Sequence, residues 1–130
     1  MKIASLFRLL TLVLLTGCKA IDVAETHEYK DIDKLEKQST ELYSSCIKQN
    51  VKEYASNKSA SHTEVAEATV SSCLPQLRTM CQYDTEIFSL GISNRYARKQ
   101  WKLGKTEECI SHKSSFMRNI LIRDLVEHQK

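Results

Sequence analysis

The chain has 130 residues and a formal charge of +3, which bounds it to one domain and excludes the bulk basicity of a nucleic-acid binder. One Pro and three Gly are too few for a turn-rich β protein, and with abundant Ala, Glu, Lys, Leu and Gln they point to helices. No apolar run after residue 18 approaches the roughly 20 residues needed to span a bilayer.

The N-terminus reads MKIASLFRLLTLVLLTGC. Lys2 and Arg8 supply positive charge, residues 9–15 a short apolar stretch, and Thr16 and Gly17 small side chains that give a peptidase access to the backbone before Cys18. Leu15-Thr16-Gly17-Cys18 resembles the lipobox of bacterial lipoproteins. That resemblance covers only about 20 residues. It implies a lipoprotein signal peptide at 1–17, diacylglyceryl attachment to the Cys18 sulfur, cleavage before Cys18 and acylation of its new amine. Lys19 rather than Asp after the anchor implies the outer membrane, facing the periplasm. Burying acyl chain is worth about 0.8 kcal/mol per CH₂, so three chains on one residue hold permanently. Residues 18–26 then form the acylated anchor and a tether, whose eight residues 19–26 reach at most about 28 Å, and 27–130 form a single helical domain. Without residues 1–17 the chain carries 17 basic against 16 acidic side chains, or +1.

Over residues 26–57, Ile32, Leu35, Leu42 and Cys46, with Tyr43, Ile47, Val51 and Tyr54, recur at spacings of three and four, predicting one long amphipathic helix. SNKSASHTE breaks the period, and Ser61 with Glu64 fits a capping box opening a second helix whose stripe is Ala66, Val70, Cys73 and Leu77. Pro75 should disturb the backbone around Cys73 and Leu74. A third stretch continues through Leu77, Met80, Cys81, Ile87 and Phe88 to SLGISN, where Gly91 is expected to cap one helix and Ser93 or Asn94 to start another. Residues 94–103 are expected as a short basic helix stopped at Gly104. Thr106 would then cap a last helix running to about Glu127, with Glu107 and Glu108 in its first turn and Cys109, Phe116, Met117, Ile120, Leu121 and Leu125 inward. The expected fold is all-α: a small helical bundle of about four helices, as two helical hairpins stapled by two disulfides.

Five Cys leave four when Cys18 is committed to lipid. The spacings that bring two ligands onto one metal, C-x-x-C or C-x-x-H, are missing, which leaves disulfides or free thiols as the main readings and no metal or cofactor expected. Cys46 and Cys73 each lie about twelve residues from the turn near residue 59, so both stand at a height of roughly 18 Å and can meet. Cys73 and Cys81 in one helix would be about 12 Å apart, beyond disulfide reach. Cys81 then pairs with Cys109, provided the chain bends near Gly91.

Signals for chemistry are mostly absent. HEYKD at His27 has Asp31 where a zinc-protease helix carries its second His, and Ser61-His62 and Ser111-His112 lack a Gly-flanked nucleophile turn. The stretch that stands out is 92–105, where Arg95, Arg98, Lys99, Lys102 and Lys105 occur without an acid, interleaved with Tyr96 and Trp101. It suits anionic lipid or lipopolysaccharide phosphates, or it is a solvated face or a partner for the acidic first helix, whose residues 22–41 carry seven acids against three bases. The expected function is a non-catalytic interaction or accessory module of the cell envelope, membrane-attached through its lipid, with an envelope protein or anionic lipid as partner and no nucleic acid. The alternative is a small periplasmic hydrolase or ligand-binding protein with a cleft between helices.

Overall fold

A computed structural model describes residues 27–128, and the lipobox, Cys18 and the tether lie outside the described residues. Four helices take up nearly all of that span: α1 (His27–Ala55), α2 (His62–Ser72), α3 (Leu74–Ser89) and α4 (Arg95–Glu127). No helix among the described residues is long and apolar enough to cross a membrane.

Local signals set most of the helix ends. Ser61 and Glu64 form the expected capping box: the Glu64 N–H donates to Ser61 Oγ at 3.2 Å, and the Ser61 N–H donates to Glu64 Oε2 at 2.7 Å. The Ser61 N–H first, and then the Ser61 hydroxyl, donate to the Glu64 carboxylate and hold it below its ordinary pKa. Asn94 caps α4 by accepting from the Ala97 N–H at 3.0 Å. The chain leaves helical geometry at Cys73, and Pro75 falls in the first turn of α3, where a missing N–H costs no bond.

Architecture follows from which rods touch. α2 and α3 succeed one another as a broken middle rod, α1 packs along one side of it, α4 packs along the other, and the two outer helices scarcely meet. The two expected hairpins therefore share their middle arm. This explains why most of the core belongs to that arm: Ala66, Val70, Cys73, Leu77, Met80 and Cys81 are buried, closed off by Tyr43 and Ile47 from α1 and Ile110 and Leu121 from α4. Each outer helix is bolted to the middle by one cystine, Cys46–Cys73 for α1 and Cys81–Cys109 for α4, both with Cα atoms 5.8 Å apart. Asn50 covers the first bridge, its amide donating to the Cys46 carbonyl at 2.9 Å. The core hydroxyls of Ser39, Thr69, Thr85 and Ser89 all donate to backbone carbonyls of their own helices. Tyr43 Oη is buried with no partner, and that desolvation raises its pKa above the ordinary tyrosine value.

The structure corrects several expectations. Gly91 does not cap in the left-handed region, since no described residue has positive φ; α3 ends at Leu90 in right-handed geometry. Gly104 does not stop a helix, and Thr106 is no N-cap: α4 runs unbroken for 33 residues, about 50 Å. The reason lies on either side of the glycine. Lys102 pairs with Glu86, Thr106 shares a hydroxyl bond of 2.9 Å with Thr85, and Glu107 pairs with Arg78, so α3 holds the helix across a residue whose intrinsic penalty is only about 1 kcal/mol. Glu107 and Glu108 are thus mid-helix. Finally, Phe88, Leu42 and Phe116, expected inward, are 69%, 63% and 60% exposed, and Leu35 is exposed as well. They sit at the margins of helix faces whose third neighbour the open, layered packing does not supply.

A substitution at Gly104 tests the continuous helix directly. A Cβ there meets nothing within 4 Å, so Gly104→Ala is expected to stabilise the fold by about 1 kcal/mol in urea unfolding. A loss of stability would restore the break.

Candidate functional site

The basic stretch singled out in the sequence divides into working parts. Arg98 stitches the α3–α4 loop: its Nε donates to the Ile92 carbonyl and its Nη2 to the Leu90 carbonyl, each at 3.1 Å. Those carbonyls follow the end of α3 and lack helical partners, so the guanidinium does the capping expected of Gly91. Lys102 is half-buried against Glu86 of α3, not against the acids of α1, and Lys105 pairs with Glu108 one turn on at 2.5 Å. Arg95 and Lys99 are exposed and have no ion pair among the described residues, and Lys99 borders a groove that Glu86 and Lys102 also line. Four of the six residues Arg95, Arg98, Lys99, Trp101, Lys102 and Lys105 thus have neighbours that the sequence did not reveal.

Trp101 is the fourth. It lines a groove of about 550 Å³ between α3 and α4, with Phe88 opposite, Lys105, His112 and Lys113 along one wall and the Cys109 end of the second cystine beneath. Lys113 comes within 3.9 Å of Asp84 across it. Phe116 continues the same α4 stripe past Cys109 and His112 at helical spacing. Sequence reasoning missed Phe88 as a surface residue. The available signal was its place in the last turn of α3, just before the loop, where a helix face runs out of neighbours.

Register places these groups in the molecule. Ser39 and Leu42 line one surface groove with Gln76 and Thr79, and together with the Cys46–Cys73 bridge this puts α1 antiparallel to the middle rod with Lys30 level with Ser89. The Cys81–Cys109, Thr85–Thr106 and Glu86–Lys102 pairs put Trp101 level with the same Ser89. The six residues from Arg95 to Gln100 therefore project past the end of α3 by about 9 Å. They project at the end of the molecule where α1 begins.

The remaining sequence candidates are absorbed structurally. Ser61 spends its hydroxyl on Glu64, and Ser111 and His112 are adjacent positions on the exposed side of α4, where neighbours point about 100° apart. Among the described residues no group of three or more His, Cys, Asp or Glu is placed to hold a metal ion.

No protein family matches this chain, and no curated protein and no solved structure matches it.

Proposed function

We propose that this chain is a lipid-anchored lipoprotein of the cell envelope, attached through Cys18 to the outer membrane on its periplasmic side, and that its helical domain is a non-catalytic interaction or accessory module. One observation carries the reading: four of the five cysteines close into two bridges, and the one these bridges do not use is Cys18, within a lipobox-like sequence. Two cystines in a small domain fit an oxidising compartment. The packing fits a scaffold, since the core is filled by aliphatic side chains, cystines and hydroxyls spent on local backbone and the groove at Trp101 lies at the surface. Function then falls to the outer surface, where Trp101, Phe88 and the exposed Arg95 and Lys99 provide aromatic and cationic contacts.

Intact-mass analysis of the membrane fraction tests this. A mature chain beginning at Cys18 and carrying three acyl chains is expected. A chain that keeps residues 1–17, or begins elsewhere, would refute it.

A further inference from the structure

We infer that the projecting start of α4 is a foot that docks on the headgroups of an anionic phospholipid leaflet, and so fixes how the anchored domain stands on its membrane. The inference rests on the proposed anchoring at Cys18 and adds to it an orientation and a contact surface.

Three observations converge. The chain enters the fold at His27, at the start of α1, and the antiparallel register puts that entry at the same end as the α3–α4 loop and Arg95–Gln100. Eight tether residues, at most about 28 Å, separate that end from the lipid. The foot reaches about 9 Å beyond Ser89 and about 4–5 Å beyond the start of α1, while the headgroup layer of a leaflet is about 5–8 Å deep, so the first turn of α4 can enter it ahead of the other rods. The foot also has the right chemistry: Tyr96 is 74% exposed, and Arg95 and Lys99 are exposed cations one turn apart, with no ion pair among the described residues. Two of the acids at this end are engaged within the fold. Asp33 pairs with Lys37 and Glu86 with Lys102, and the exposed Glu28 and Asp31 on α1 alternate in sequence with Lys30 and Lys34.

Arg98 and Lys102 do not belong to the docking set, because they hold the loop and α3. This division makes the site testable without disturbing the fold. Two cations at an anionic surface contribute about 30-fold in the docking equilibrium, weak for a free protein but sufficient for one held within a tether's length.

The test uses the full acylated chain with its single tryptophan moved to the foot by Trp101→Phe and Tyr96→Trp, reconstituted in phosphatidylcholine vesicles with and without phosphatidylglycerol. Headgroup-region nitroxide lipids serve as the quencher. Emission is expected to shift to the blue and be quenched when phosphatidylglycerol is present, to recover at high salt, and to lose docking about 30-fold with Arg95→Ser and Lys99→Ser together. Arg95→Lys with Lys99→Arg should retain it. If the protein floats with the vesicles but its emission ignores phosphatidylglycerol, or the serine pair changes nothing, the foot is overturned and the anchor stands. Failure to float would overturn both.

Discussion

Replacing Cys81 and Cys109 by serine is expected to lower stability by about 3.5 kcal/mol, and replacing Cys46 and Cys73 by about the same, since the bridges close loops of 28 and 27 residues. The chain-entropy argument gives near-equal values because loop length enters only as a logarithm. Together they amount to about 7 kcal/mol, comparable with the whole stability of an ordinary small domain at about 5–15 kcal/mol. The layered architecture sharpens the expectation. The outer helices scarcely touch each other, so each is held only by its contact with the middle rod and by its own cystine. Loss of Cys81–Cys109 should release α4 first, and loss of Cys46–Cys73 should release α1. Denaturant unfolding with hydrogen exchange resolved by helix reads both effects, and a loss below about 1 kcal/mol for either pair would contradict this account. Non-reducing peptide mapping checks the connectivity, where a Cys46–Cys81 link would be incompatible with the register.

Leu77→Ala is expected to cost about 3–4 kcal/mol, near the upper half of the range for a fully enclosed leucine. Leu77 is completely buried on the middle rod, within the cluster that also holds Tyr43 and Ile47 from α1 and Ile110 and Leu121 from α4. The cavity left behind cannot collapse easily, because the cystines at Cys73 and Cys81 fix the rods one turn to either side. Leu42→Ala supplies the contrast. Leu42 shares the apolar stripe of α1 in the sequence but is largely exposed, so its truncation should change stability by no more than about 0.5 kcal/mol. Urea midpoints at constant m-value separate the two, and similar losses at both positions would mean that α1 is rotated from the orientation described.

Several features are legible from residues alone because their causes act within a turn of helix or accumulate linearly along a rod. Ser61 with Glu64 and Asn94 start helices through hydroxyl and amide bonds to N–H groups two or three residues on, and Pro75 interrupts the backbone through its own ring. The Cys46–Cys73 pairing followed from counting residues back to a turn, since 1.5 Å per residue turns sequence distance into height, and Cys81–Cys109 was the pair left over once a bend near Gly91 was allowed. Tertiary structure decided what neighbours decide. Gly104 continues a helix because α3 grips α4 at Lys102, Thr106 and Glu107. Phe88, Leu42 and Phe116 face outward because two flanking helices cannot cover every side of three rods, and Arg98 became a loop clasp because unpaired carbonyls lay within its reach. The placing of Arg95 and Lys99 beside the tether's entry is of the same kind: it comes from the antiparallel stacking of α1, α3 and α4, and long-range stacking leaves no local mark on the residues it brings together.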